Sequence, residues 1–385
     1  MVTTSDVAED IEELRAQFRE FLANAPKPQG LRNYGPTPTA DDIAPGRAWH
    51  KFLAANGYVC LHWPVRHGGA DASVAFQATF AEECARAAVP RQLAITAIDL
   101  VGPVLIEFGT EEQKARYLEP IRLGDDIWTQ LFSEPDAGSD LAGIRTKAEK
   151  TISGWRINGQ KVWSSGANSA KFGLLLARTG PESHGGLSMF VVPMDAEGVS
   201  VRPLQQMDGE SKFNEVFLDN VDLPADALIG EPGQGWRIAM VTLGRERLTL
   251  GSHAVVMFEL HHRLVQAARA RDALDPTLMR AMIRLWIRIW LLRYTWQRAI
   301  DESDLQSSAF SVLKLMTSET DRDLGDLATD VLGTDACVDP SGGSEEAELV
   351  RAMLVGRAQT ILGGTSEIQR NILGERVLGL PKEPR

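Results

Sequence analysis

The chain has 385 residues, 44% of them hydrophobic and 24% charged, with a formal net charge of −12. That length is enough for a sizeable core divided between two or three domains, and the composition points away from the disordered and membrane classes. The acidic balance argues against a generic nucleic-acid binder, whose electrostatic footprint is basic, although a polyanion could still be held by a local patch. The opening residues, Met1 to Asp6, show neither a basic region nor an apolar run, so no secretory signal is expected. Cys60, Cys84 and Cys337 are too few and too scattered for a disulfide framework or a metal cluster, and fit a reducing cytoplasm. His62, His67, His184 and the pair His261-His262 likewise form no metal-binding pattern.

Apolar residues at Ile11, Leu14, Phe18, Phe21 and Leu22 have helical spacing, and the Pro/Gly-rich stretch from Pro26 to Gly46 is expected to end that helix. Further helices are expected at Arg47 to Asn56, Val74 to Ala88 and Arg91 to Glu107, with a loop at Trp63 to Gly69. Thr110-Glu-Glu-Gln113 has capping-box spacing. From Ile127 the texture changes. Asn158-Gly159 lies between β-favouring residues and reads as a tight type I′ hairpin turn. Phe172 to Ala177, Leu187 to Pro193 and Val216 to Leu218 read as strands. Past Gly233 the pattern returns to helix at Ala239 to Ala270, Pro276 to Ile300, Ser308 to Gly333 and Glu345 to Leu354, which suggests a bundle. The apolar stretch Met282 to Trp296 is interrupted by Arg284, Arg288 and Arg293, and no membrane span is expected. The expected organisation is α+β: an N-terminal helical domain (1–126), a middle β domain (127–232) and a C-terminal helical bundle (233–385).

Three segments stand out for chemistry. They are Leu131-Phe-Ser-Glu-Pro-Asp-Ala-Gly-Ser-Asp140, Asn158-Gly-Gln-Lys-Val-Trp163-Ser-Ser-Gly166 and Ile361-Leu-Gly-Gly-Thr-Ser-Glu-Ile-Gln-Arg370. No glycine loop opens a helix after a strand, so a Rossmann site has no support. Glu134 and Asp140 have the residue types of an acid/base pair, but carboxylates flanking Pro and Gly more often form turns. Ser366 to Gln369 has capping-box spacing, so Gly363-Gly364 reads as a turn delivering a helix N-terminus, an end suited to a phosphate or a polarised carbonyl.

Together, and in this order, the three segments closely resemble the acyl-CoA dehydrogenase family of flavoenzymes. The resemblance implies a β-barrel-like middle domain between two helical ones, the last a four-helix bundle, with FAD at their junction. It implies that the amide of Phe132 and the amide and hydroxyl of Ser133 address the flavin's pyrimidine edge, that Trp163 covers the ring and that Ser165 bonds near its reactive nitrogen. Gln130, at a position often aromatic in relatives, is assigned with them to the cofactor. Thr365 and Glu367 are assigned to the FAD side, the backbone of Gly363 and Gly364 to the substrate thioester, and Ser139 and Arg247 to the CoA arm.

Many relatives carry the catalytic glutamate just before Gly-Thr, where this chain has Gly363. A minority, including isovaleryl- and long-chain-type enzymes, carry it on the first helix of the last domain, and the matching residue is Glu246. Thr242, Glu246, Thr249 and His253 are spaced to share one helical face. The usual FAD-tail elements are also altered, at Arg269 to Pro276 and at Asp330 to Asp335. These departures resemble actinobacterial-type members, some of which pair two unlike subunits. Arg280, Arg284 and Arg288 form a stripe that reads as a solvated or salt-bridged face, or as one meeting a partner or a pyrophosphate. The implied activity is α,β-dehydrogenation of an acyl-CoA to a trans-2-enoyl-CoA, with electrons passed to an electron-transfer flavoprotein. The implied assembly is a homo- or hetero-oligomer, a dimer of dimers. The alternatives are a flavin oxidase or monooxygenase on the same scaffold, and a non-catalytic or half-site subunit of a heteromer.

Overall fold

Local side-chain chemistry sets the helix boundaries. The computed structural model describes residues 11–34, 37–246, 250–301 and 309–382. Helix α1 (Ile11–Asn24) buries Leu14, Phe18 and Leu22. Helix α2 (Ala40–Ala55) begins well before the expected Arg47 and contains Pro45. The reason is Asp42, which accepts from the Thr39 amide at 2.8 Å and from the Arg32 guanidinium at 2.8 Å and so closes the helix start upstream of the proline. Helix α3 (Val74–Arg86) is capped by Ser73, which accepts from the Phe76 amide.

The expected helix at Arg91 to Glu107 is shorter and partly widened. A π-helical turn, Thr96–Val101, runs into α4 (Gly102–Phe108). Trp63, fully buried, donates its indole N–H to the Ile98 carbonyl at 2.9 Å inside that turn, and its ring fills the space beside Gly102. Helix α5 (Glu111–Arg122) starts with the expected capping box, Thr110 with Gln113. The same Gln113 amide donates to the Asp226 and Leu228 carbonyls at 2.8 Å each, tying the helix start to the sheet.

Among the described residues eight strands form one sheet: β1 (Trp128–Leu131), β2 (Lys147–Lys150), β3 (Gly154–Ser165), β4 (Phe172–Arg178), β5 (Leu187–Pro193), β6 (Val199–Leu204), β7 (Phe213–Pro224) and β8 (Leu228–Ile229). The order is β6-β7-β3-β2-β4-β5-β8, with β1 added in parallel to β4. Strands β4 and β5 are buried on both faces. Leu174, Leu176, Met189 and Val191 join the helix-facing core with Trp128, while Leu175, Ala177, Phe190 and Val192 join a second layer with Trp155 and Val216. Their continuous apolar runs follow from that double burial.

Asn158-Gly159 is not a hairpin turn, contrary to the sequence expectation. It lies inside β3 at an irregularity in the pairing with β7. Gly159 has φ +157°, and a Cβ there would stand 2.4 Å from the Thr146 hydroxyl, so the glycine serves a close approach rather than a reversal. The reversal between β2 and β3 comes earlier, where Thr151 Oγ1 accepts from the Gly154 amide at 3.1 Å.

Contacts divide the chain into two units, Met1–Gln205 with Ser211–Glu246, and Gln206–Glu210 with Arg247–Arg385. The first unit is completed by α6 (Gly235–Glu246), which packs through Ile238 and Ala239 onto the helix-facing core. The second holds α7 (Leu250–Ala270), α8 (Pro276–Asp301), α9 (Ala309–Leu332), α10 (Glu345–Gln359) and the short α11 (Ser366–Ile372). Helices α9 and α10 meet through reciprocal glycines. A Cβ on Gly325 would stand 2.6 Å from the Met353 Cα, and one on Gly356 3.0 Å from the Asp321 carbonyl oxygen. No helix among the described residues is long and apolar enough to cross a membrane.

Candidate active site

The first unit brings Gln130, Phe132, Ser133, Trp163 and Ser165 together along β1 and β3. Strand β1 ends at Leu131, fully buried in the second core layer. Phe132 then turns into the helix-facing core, and the next two residues are tied to β3. Lys161 Nζ donates to the Phe132 carbonyl at 2.9 Å, and the Val162 amide donates to the Ser133 carbonyl at 2.9 Å. Ser133 is half-buried, and among the described residues neither its N–H nor its hydroxyl has a partner within the protein. The Gln130 Nε2 atom is buried without a partner.

Glu134 is the hub of this corner. Its carboxylate accepts from Lys161 Nζ at 2.8 Å, from the Arg145 amide at 2.6 Å and from the Thr146 amide at 2.9 Å. Burial alone would raise the Glu134 carboxyl, but the Lys161 charge and these hydrogen bonds outweigh it and hold the group below its ordinary value. Burial pushes the Lys161 ammonium down to about 8, against the opposing pull of the Glu134 carboxylate. Glu134 is thus a structural anchor with its acceptors committed, and Asp140 is exposed, so the two do not form an acid/base pair. Ser139 is exposed further along the same loop.

Trp163 sits on a bulge. From Lys161↔Val216 to Ser164↔Asn214, β3 advances three residues while β7 advances two, and Trp163 takes φ +59°. A left-handed backbone on a large residue is costly and points to a site where the fold over-determines geometry for a purpose. The side chain is 57% exposed and meets Phe213 edge-on at 6.1 Å. Trp163 is therefore not a core residue of the β domain. Ser165 follows, its carbonyl accepting from Thr129 Oγ1 at 2.9 Å. Ser165, Gly166, Trp128 and Ile127 line one side of a cleft whose other side is the segment Leu93 to Thr96, leading into the π-helical turn. His50 fixes that segment: its Nδ1 accepts from the Leu93 amide at 3.2 Å and its Nε2 donates to the Arg122 carbonyl at 2.9 Å, a neutral tautomer. Lys161 and His50 were not singled out from sequence, where a lysine in a strand reads as solvent-facing and a lone histidine carries no signal.

The second unit carries the glycine turn. Gly363 and Gly364 have φ +61° and +95°, conformations that L side chains rarely adopt. The cap of α11 is Thr365, whose hydroxyl accepts from the Ile368 amide at 3.2 Å. This corrects the expected Ser366–Gln369 box by one residue: Ser366 Oγ is buried without a partner, and α11 is only seven residues long. Glu367 is exposed, its carboxyl lowered by hydrogen bonds to its own backbone amide and to Thr365. Arg288 is paired with Asp323 at 2.6 Å, which makes that part of the arginine stripe a salt-bridged face.

Glu246 is the last described residue of α6, and its side chain lies outside the described residues, as do Arg247 and Thr249. Thr242 is buried and donates its hydroxyl to the Ile238 carbonyl of its own helix at 2.9 Å, and His253 lies 3.4 Å from Asp321. Among the described residues no group of three or more His, Cys, Asp or Glu could hold a metal ion.

Sequence models of the acyl-CoA dehydrogenase N-terminal, middle and C-terminal domains match residues 8–125, 129–221 and 233–378. The chain is 42% identical to acyl-CoA dehydrogenase IpdE1 of Mycobacterium tuberculosis, over 98% of this chain and 100% of that protein. Among solved structures it is similar to the Tcur3481-Tcur3483 steroid ACAD (TM-score 0.84, 28% identity, 100% of both chains). It is also similar to the ChsE4-ChsE5 complex from Mycobacterium tuberculosis (TM-score 0.81, 27% identity, 99% of this chain and 100% of that one). With N-terminal helices, a middle β domain, C-terminal helices and these matches along its whole length, the chain belongs to the acyl-CoA dehydrogenase family, which uses FAD, and is an oxidoreductase of that kind.

Proposed function

We propose that the protein binds FAD and removes two hydrogens from the α and β carbons of an acyl-CoA, giving a trans-2-enoyl-CoA. The observation that carries this reading is the exposed, strained Trp163 beside the unpartnered Ser133 donors, a flat apolar wall next to polar groups that ask for a ring with a hydrogen-bonding edge. Phe132 and Ser133 would hold that edge, Gln130 Nε2 offers a further donor, Trp163 would cover the ring and Ser165 would bond beside it. Thr365 and Glu367 are assigned to the same cofactor. FAD, when bound, supplies the acceptor for the hydride leaving the β carbon.

Glu246 would take the α proton, and the Gly363 amide would donate to the thioester carbonyl, where negative charge develops as that proton leaves. Gly364 shapes this donor turn, and Ser139 and Arg247 are assigned to the CoA arm. The electron acceptor is an electron-transfer flavoprotein. The setting is cytoplasmic, where the free thiols of Cys60, Cys84 and Cys337 stay reduced.

We infer a ring-bearing acyl group, of the steroid side-chain kind, because the Tcur3481-Tcur3483 steroid ACAD is similar over the full chain. The protein works as an oligomer, a dimer of dimers with like or unlike subunits. Met279, Ile283, Trp286, Ile287, Leu291 and Tyr294 form an exposed apolar face along α8, which supports an interface with another subunit. The half-site reading is favoured by one observation, the two-component ChsE4-ChsE5 complex among the relatives.

Anaerobic titration with straight, branched and steroid-derived acyl-CoA thioesters tests the proposal. Bleaching of bound FAD by the steroid-derived thioester supports it. A folded preparation, alone or with a co-expressed partner subunit, that holds no FAD would overturn it. Peroxide formed at the full turnover rate in air would favour the oxidase alternative.

A further inference from the structure

Lys161 has no part in the reading above, yet it is among the most completely enclosed charges in the protein. Its side chain is 0% exposed, and Glu134 beside it is 7% exposed. A buried ion pair is a poor way to gain stability, because removing two charges from water consumes most of their mutual attraction. A different use is visible in the third contact. Lys161 Nζ donates to the Phe132 carbonyl at 2.9 Å as well as to Glu134 at 2.8 Å. The peptide linking Phe132 to Ser133 is trans and planar, so its C=O and N–H point in opposite directions. Fixing the carbonyl inward on a buried ammonium therefore turns the Ser133 N–H outward. The next carbonyl, that of Ser133, is fixed by the Val162 amide at 2.9 Å, and Glu134 holds Lys161 in place through the Arg145 and Thr146 amides.

We propose that Lys161 is a positioning residue for the dehydrogenation, orienting the Phe132–Ser133 peptide so that the Ser133 N–H is presented to the flavin edge. This rests on the FAD reading. The bulge that carries Trp163 begins at the next residue of β3.

The test uses the full chain freed of flavin and reconstituted with FAD, read by FAD affinity and by the absorption band of the bound flavin. Lys161→Met with Glu134→Gln removes both charges, so no unpaired ion is buried, but it also removes the donor to the Phe132 carbonyl. The expected result is a folded protein that binds FAD at least about tenfold more weakly than wild type, with a shifted flavin band. Glu134→Gln alone loosens the lysine but leaves it a nitrogen that can donate to the Phe132 carbonyl, and is expected to lose less FAD affinity than the double variant. Wild-type affinity and spectrum in the double variant would overturn the positioning role. So would a loss in Glu134→Gln alone as large as that in the double variant, or, if the double variant does not fold, as large as that in Lys161→Met, because the donor to the Phe132 carbonyl would then make no difference. A wild-type protein that takes up no FAD would overturn the cofactor reading itself, and the positioning role with it.

Discussion

The two motif-bearing corners of this protein are built on opposite principles. In the first unit, Phe132 to Glu134 and Lys161 to Ser165 are held by a buried ion pair, paired backbone amides and a bulge that forces Trp163 to φ +59°. In the second, Gly363 and Gly364 reach comparable left-handed angles without a Cβ to strain, on a turn that is exposed or half-buried. The sheet corner must aim side chains, so it accepts strain at Trp163 and ties down the Phe132 and Ser133 carbonyls. The glycine turn has only backbone to offer, so the chain uses the residue for which the geometry costs least.

The largest expected effect lies where the first unit ends. On the proposed role, Glu246→Gln loses roughly a hundredfold to ten-thousandfold in the rate of anaerobic flavin reduction while FAD affinity is kept. An unchanged rate would remove Glu246 from the mechanism. Within the sheet corner, Lys161→Met alone strands the Glu134 carboxylate and is expected to cost about 3–5 kcal/mol in a denaturant melt, most of it recovered by adding Glu134→Gln. Equal stability of the single variant and wild type would mean that the corner is not held by that pair.

The strain contrast itself is tested by exchanging residue types. Gly364→Ala places a Cβ at φ +95° and is expected to cost about 1–2 kcal/mol. Trp163→Gly is expected to do the reverse, stabilising the flavin-free protein by about 1 kcal/mol while weakening FAD binding. A Trp163→Gly protein that is both less stable and equally tight for FAD would reverse the reading of the bulge.

The smallest effect is spread along the pH axis. Burial holds His50 below its ordinary value, only partly offset by its hydrogen bond to the Arg122 carbonyl. The unfolded chain therefore takes up the proton first. His50's contribution is complete above its ordinary value near 6.5 and is lost as pH falls through that value toward the folded one. Melts of wild type and His50→Gln between pH 7.5 and 5.5 should converge as pH falls; parallel curves would show that the ring does not titrate in this window.

Much of the fold is legible where burial is one-sided or complete. The apolar runs at Phe172 to Ala177 and Leu187 to Pro193 become β4 and β5 because both faces are covered. Strand β2, Lys-Ala-Glu-Lys, was not expected, since three of its four residues are exposed and only Ala148 enters the core. Strand β6 was missed for the same reason, its side chains being exposed or half-buried. Asn158-Gly159 carried a true glycine signal with the wrong cause, a close approach to Thr146 instead of a turn. At the site, residue types in the motifs picked out the strip that β1 and β3 assemble. The lysine inside the second motif gives no sign of burial, because a lysine in a strand reads as solvent-facing even where it falls in phase with inward residues such as Trp155 and Ile157.

The reciprocal glycines of α9 and α10 limit how the second unit can move. Packed helices ordinarily accommodate change by sliding a little past one another, which requires smooth side-chain surfaces that can shift together. Here Gly325 faces the backbone of Met353, and Gly356 faces the backbone of Asp321 and Arg322, so each helix holds the other in a slot. Axial slip would drive the neighbouring side chains into those slots and is closed off. The two close approaches, one from each helix, thus fix the register of α9 against α10.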